Sequence, residues 1–377
     1  MRHLRAAVAA TSIAVLALAG CSAAASDDPG EAAPSTDAAS GEDDAAFPVT
    51  IEHAFGETTI ESEPQRVVTW GWAGADAALA LGVVPVAIPF QGYGGDENGV
   101  LPWIAEELDA LGAPTPTVLP DSAEAPIDAI AAAEPDLILA HYSGLTAEEY
   151  ELLSAIAPTV AYPDQPWATP WRDVVTIAGE ALGRADRAGE VLDEIDAAVA
   201  EAAAAHPELE GVTVAQVWDT GDTFYVYTPA DPRVEFTQDL GLVTAPSVTD
   251  LDTGESTFYF TLSHERLDEL SSDVVVAYAD TPEALDAFLS SAAAGTMPQV
   301  QQGAVAGVVG QAFVASVSPP TALSLTWGLE DYVQVLADTV AGLSRTPRAD
   351  VRRAGPSRSR SPRASRANGG EGMQSSV

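Results

Sequence analysis

Residues 171–205 carry one apolar stripe at helical spacing, and that stripe limits what the chain can be. Val174, Ile177, Ala178, Ala181 and Leu182 open it, and Ala188, Val191, Leu192, Ile195 and Val199 continue it. As one unbroken helix the segment would span about 52 Å, at 1.5 Å per residue. Gly179, Gly183 and Gly189 are the positions able to bend it, and His206-Pro207 ends it. A helix of that length does not fit inside one small lobe. It suits a connector between two.

Both flanks of the stripe alternate between strand and helix. Residues 47–60 alternate apolar and polar positions around Phe55-Gly56-Glu57 and predict a hairpin. Strand-like runs at 66–70, 83–88, 137–140 and 159–162 interleave with helical patterns at 73–81, 127–133 and 146–156. Beyond the stripe, strands are predicted at 212–218, 223–227 and 273–278, and extended segments at 304–309 and 313–317. Helices are predicted at 235–240, 265–270, 282–293 and 328–341. The expected fold class is α/β, with two α/β lobes whose central, mostly parallel sheets are joined by one long α-helix. The corresponding boundaries are an N-terminal lobe at 47–169, a connecting helix at 170–206 and a C-terminal lobe at 207–342.

Charge narrows the function. The formal net charge of the chain is −40, and its basic residues are all arginine. Between Cys21 and Gly342 only six arginines face 54 acidic residues, a net charge near −48. Such a surface excludes most nucleic-acid binding, which needs cations against phosphates. The lone cysteine excludes a disulfide framework and a multi-cysteine metal cluster. The five histidines show no pairing at metal-ligand spacing.

The ends differ from the middle. Arg2 and Arg5 precede an apolar run at 6–19 that is too short for a typical membrane span and fits a secretory signal over 1–20. The run ends in Leu18-Ala19-Gly20-Cys21, which resembles the bacterial lipobox; Cys21 is then the lipidation site and the mature N-terminus. Residues 21–46, rich in Ala, Ser, Asp and Glu, predict a disordered acidic tether. Residues 343–377, with eight arginines and many serines, predict a disordered basic tail. It reads as a plain extension or as a basic arm for anionic polymers.

Several segments, in order, resemble one family. They are His53-Ala54-Phe55-Gly56-Glu57-Thr58-Thr59-Ile60, Pro64-Gln65-Arg66-Val67-Val68, Ala80-Leu81-Gly82-Val83-Val84-Pro85 and Glu134-Pro135-Asp136-Leu137-Ile138-Leu139. Leu153-Ser154-Ala155-Ile156-Ala157-Pro158-Thr159-Val160 and Leu262-Ser263-His264-Glu265-Arg266-Leu267-Asp268-Glu269-Leu270 follow. Behind a lipobox, over residues 47–342, this pattern is similar to the substrate-binding lipoproteins of ABC importers for iron–siderophore complexes, of the class III periplasmic-binding-protein type. The resemblance implies two lobes joined by one long helix, and a ferric siderophore held in the cleft between them. It also implies delivery to permease subunits, lipid anchoring at the outer face of the cytoplasmic membrane, and modest opening. The iron travels within the ligand, so no cofactor of the protein's own is expected. A monomer is expected.

Candidate ligand residues follow from chemistry and place. Large aromatic side chains suit a cleft enclosing a bulky guest. Among the aromatics, Trp72, Tyr93, Tyr142 and Trp171 adjoin glycine or loop residues after a strand or at a helix start, where open α/β sheets bind ligands. Of the six arginines, Arg66 reads as structural, and Arg184 and Arg187 read as partners of nearby acids on the connector. Arg172, at the lobe junction, and Arg233, where relatives carry a ligand-binding arginine, are the candidates to grip ligand oxygens; interlobe salt bridges are their other use. So few cations suit a neutral or cationic ferric hydroxamate better than a ferric catecholate of about three negative charges. The resemblance also implies permease docking through one carboxylate per lobe: Glu265 on the second, and Asp128, or alternatively Glu124, on the first.

Other classes are weaker. No Gly-x-Ser-x-Gly, His-Glu-x-x-His or phosphate-loop motif is present, so no enzyme is expected. A binding protein for haem, cobalamin or a catecholate siderophore remains the alternative, with His141-Tyr142 as possible haem ligands.

Overall fold

The computed structural model describes residues 47–345. The signal at 1–20, Cys21, the tether at 21–46 and all but the first three residues of the predicted tail lie outside the described residues. The first lobe opens with an antiparallel hairpin, β1 (Val49–His53) and β2 (Gly56–Ile60). Then come β3 (Val67–Thr69), α1 (Gly74–Ala80), β4 (Ala87–Ile88), α2 (Pro102–Leu111), β5 (Thr117–Val118), α3 (Ile127–Ala132), β6 (Leu137–Ala140), α4 (Ala147–Ser154) and β7 (Thr159–Ala161). Their sheet runs β5-β4-β3-β6-β7, with all neighbours parallel. Interior strand β6 is buried at each of its four positions, as a strand covered on both faces must be, and its Leu-Ile-Leu-Ala run supplies the apolar surface for that.

The connector is α5 (Trp171–Ala181) and α6 (Ala185–Ala205), not one unbroken helix. The backbone turns left-handed at Gly183, φ 64°, where the Gly183 and Arg184 amides close back onto the carbonyls of Glu180 and Gly179. The apolar stripe is continuous in sequence, yet the two helices fold against each other. At Gly179 an added Cβ would lie 2.5 Å from the Ala188 Cβ. The long element is therefore α6 alone, 21 residues, or about 32 Å.

The second lobe holds β8 (Thr213–Asp219), β9 (Phe224–Tyr227), α7 (Pro232–Asp239), β10 (Val243–Thr244), α8 (Pro246–Leu251), β11 (Tyr259–Leu262), a 3-10 turn at His264–Glu269, and β12 (Val274–Ala279). It ends with α9 (Pro282–Leu289), α10 (Pro298–Gln302), β13 (Val305–Val309), α11 (Gln311–Ser316) and α12 (Ser324–Arg345). Its sheet runs β11-β9-β8-β12-β13, parallel through β8, β12 and β13 and antiparallel at β9 and β11, with β10 beside β8. Of the segment at 313–317, predicted extended, 313–316 belong to helix α11 and only Val317 forms an isolated bridge, to Pro320; α12 runs past the expected boundary at 342.

One apolar cluster threads both lobes. It runs from Val67 and Ala77 through Val174, Val191 and Ile195 to Val276 and Tyr332. A second crossing lies at the C-terminal side. Ala315 is buried among first-lobe residues Leu79, Trp103 and Ile104, and Leu323 and Trp327 pack on the same cluster. The Trp327 indole donates to Glu106 Oε1 at 3.0 Å, and Thr321 donates its hydroxyl to the buried Asp76 carboxylate.

Candidate functional site

The carboxyl ends of the parallel strands in both lobes carry the aromatic side chains. Trp70 and Trp72 follow β3, and His141 and Tyr142 follow β6; in the second lobe Trp218 lies near the end of β8 and Asp280 follows β12. The two first-lobe loops touch. Gly71 has φ 96°, and a Cβ there would fall 2.3 Å from the Tyr142 carbonyl oxygen, so only glycine lets them meet. The loop before α5 is pinned to the same place. Thr169 donates its hydroxyl to the His141 carbonyl at 2.6 Å, and the Trp167 amide donates to the Ser143 carbonyl at 3.0 Å.

These loops and the start of α7 enclose a hollow of about 330 Å³. Tyr142, Trp167 and Trp171 line it from the first lobe and connector; Arg233, Asp231, Glu235 and Tyr259 line it from the second. Three of the sequence candidates, Tyr142, Trp171 and Arg233, thus come together. Trp167 is 52% exposed, stands edge-on to Tyr142 with ring centroids 6.0 Å apart, and lies against Gly144, where no Cβ would fit. On its other side is a second hollow of about 360 Å³ in the first lobe, lined by Trp70, Trp72, Phe90, Gln91 and Glu149.

Arg233 is held tightly. Its Nε and Nη2 each donate to one carboxylate oxygen of Asp231 at 2.7 Å. Its guanidinium lies 3.6 Å from the centroid of the Tyr227 ring. Burial works against its charge, and the paired Asp231 more than offsets this, so it stays protonated. Asp231 also accepts the Arg233 amide at 2.9 Å, capping α7 ahead of Pro232. Burial first, then the charge of Asp231, pushes the Tyr142 phenol up to about 12. Tyr142 therefore remains a neutral hydroxyl, able to donate to a ligand oxygen.

The other candidates fall elsewhere. Trp72 lines the second hollow and reaches across the lobes, its indole 3.4 Å from the Pro319 carbonyl. Tyr93 donates its hydroxyl to Asp280 in the second lobe at 2.8 Å and packs near Trp218, with centroids 6.3 Å apart. Arg172 does not line either hollow. Its guanidinium stacks on Trp171 and pairs with Asp196 at 2.7 Å and Asp239 at 3.5 Å, tying α5 to α6 and α7. In this structure it makes the salt bridges that were its other expected use. Arg66 hydrogen-bonds the Ala133 and Glu134 carbonyls just past α3. His141 is buried, held near pKa 4 by that burial, and its Nε2 lies 3.0 Å from the Val174 carbonyl on α5. Asp128, in the first turn of α3, and Glu265, in the 3-10 turn, are both exposed, as is Glu124.

The family model for "periplasmic binding protein" matches residues 67–310. The chain belongs to this family. Among solved structures, it resembles PiaA of Streptococcus pneumoniae TIGR4 in complex with ferrichrome: 34% identity, TM-score 0.69, covering 78% of this chain and 99% of that one. It is 30% identical over 187 residues to the probable siderophore-binding lipoprotein YfiY of Bacillus subtilis, covering 49% of this chain and 54% of that one. It is 26% identical over 228 residues to the ferric enterobactin-binding periplasmic protein FepB of Escherichia coli, covering 56% of this chain and 67% of that one. The match to YfiY thus spans only about half of that protein.

Sequence reasoning singled out neither Trp167 nor Asp231. Trp167 closes the Pro166–Pro170 loop that opens the connector. Asp231-Pro232 is a cap-and-first-turn signature, and the signal was there to read.

Proposed function

We propose that this chain is the ligand-capturing component of an ABC importer for ferric siderophores, with hydroxamate-type complexes as its guests. The observation that carries the reading is the hollow between Tyr142, Trp167, Trp171 and Arg233 in a periplasmic binding protein fold. Aromatic walls give a bulky guest broad apolar contact, and a few polar groups orient it. The charges on that wall set its class. Arg233 is cancelled by Asp231, and Glu235 leaves the lining with a net single negative charge. A ferric tris-hydroxamate, neutral or cationic, meets no repulsion there, whereas a ferric tris-catecholate with about three negative charges does. The likeness to ferrichrome-bound PiaA supports the same class.

A capturing role needs no bond-making machinery, and the family's solved members are substrate-binding proteins. His141 is fully buried and its Nε2 faces the Val174 carbonyl, which speaks against haem ligation through that nitrogen. In this reading Cys21 carries the lipid that keeps the protein at the outer face of the cytoplasmic membrane, and exposed Glu265 and Asp128 meet the permease subunits.

Tryptophan fluorescence titration and native mass spectrometry with ferrichrome, ferrioxamine, a ferric tris-catecholate and hemin test the proposal. Saturable one-to-one binding of a hydroxamate complex is expected. Tighter binding of the catecholate overturns the hydroxamate assignment, and binding of hemin alone overturns the siderophore reading.

A further inference from the structure

We propose that Asp231 is the residue that sets the charge class of the guest, by cancelling Arg233 within the ligand hollow. The inference rests on the siderophore reading above and goes beyond it to a single side chain. Asp231 is 1% exposed, and its carboxylate takes the Nε/Nη2 edge of the guanidinium in two parallel hydrogen bonds of 2.7 Å. That is one of the two edges an arginine offers to a carboxylate or catecholate in a bidentate grip, and its use by Asp231 leaves the guest only the Nη1 end of a neutralised pair. Tyr227 covers one face of the same guanidinium at 3.6 Å, and the arginine side chain is only 15% exposed. A guest reaches donors of a neutral pair, not a free cation. The neighbouring Glu235 on the same wall adds negative charge rather than positive. Removing the Asp231 charge while keeping its shape turns the pair into a cation beside the guest, where partial burial weakens screening by water.

The Asp231→Asn variant keeps the side-chain oxygen that caps α7, and Asp231→Ser keeps a capping hydroxyl if the first variant folds poorly. Dissociation constants are measured by tryptophan fluorescence for ferrichrome and for a ferric tris-catecholate, on wild type and variant, at low and high salt. Wild type should bind ferrichrome the more tightly. In the variant the ratio of catecholate to ferrichrome dissociation constants should fall at least about tenfold, and high salt should shrink that gain. A ratio that stays within about twofold of wild type overturns the role of Asp231 while leaving the siderophore reading standing. So does wild-type protein that binds the catecholate as tightly as ferrichrome, whatever the variants do. A wild-type protein that binds neither complex overturns both.

Discussion

At Asp76 the chain buries a carboxylate against two neutral donors, the Trp103 indole at 2.6 Å and the Thr321 hydroxyl. Burial raises its pKa from 3.8 to about 6, and the two hydrogen bonds only partly counter this. The folded protein therefore holds the proton more strongly than the unfolded chain does. Stability from this group is fully present below pH 4 and is lost as pH rises through about 6, a change of about 3 kcal/mol. Asp76→Asn keeps an acceptor oxygen for both donors and has no charge to bury. Its melting temperature at pH 7 should exceed that of wild type, and the fall in stability between pH 4 and pH 6 should flatten; thermal melts across that range check both. A variant less stable than wild type at pH 7 would show that the ionised carboxylate is the form the fold prefers.

The elements that sequence revealed well are those whose surroundings match their own chemistry. The runs at 137–140 and 273–278 are apolar at nearly every position, and they became β6 and β12, buried on both faces. Helix α2 was missed, although Pro102 at its first turn and Gly112 after its last were signals of both ends. The run at 313–317 reads as extended because Phe313, Val314 and Val317 favour strands, but Gly310 opens a helix over 311–316. The connector's break was hidden because its stripe runs on through Leu182 to Ala188, and only tertiary packing shows that the two halves meet. The site shares that difficulty. Sequence supplied its aromatic inventory, but Tyr142 and Arg233 line one hollow from different lobes, a placement that no local pattern encodes. The α5–α6 elbow offers its own test. Gly179→Ala would drive a methyl into Ala188, which overpacks the joint, and should lower stability by about 1–3 kcal/mol in urea unfolding. A neutral outcome would mean that the two helices can slide apart freely.

Across the whole molecule, two separate crossings fix one lobe to the other: the α5–α6 elbow, and the 315–327 segment with its Thr321 and Trp327 anchors. Tyr93 and Asp280 add a third tie. The proposed function places delivery on outward-facing carboxylates. Glu265→Arg should abolish siderophore uptake by cells while the purified variant keeps wild-type ligand affinity, since the 3-10 turn it occupies is not among the hollow's lining residues. Normal uptake by that variant would remove Glu265 from the docking surface.

Doubly braced lobes have a cost for transport. Under the proposed function, lobes that stayed so braced on loading would give the importer little shape by which to refuse an empty copy. Vacant receptors would then queue at the same gate as full ones, so raising receptor abundance at fixed iron supply should slow uptake rather than speed it.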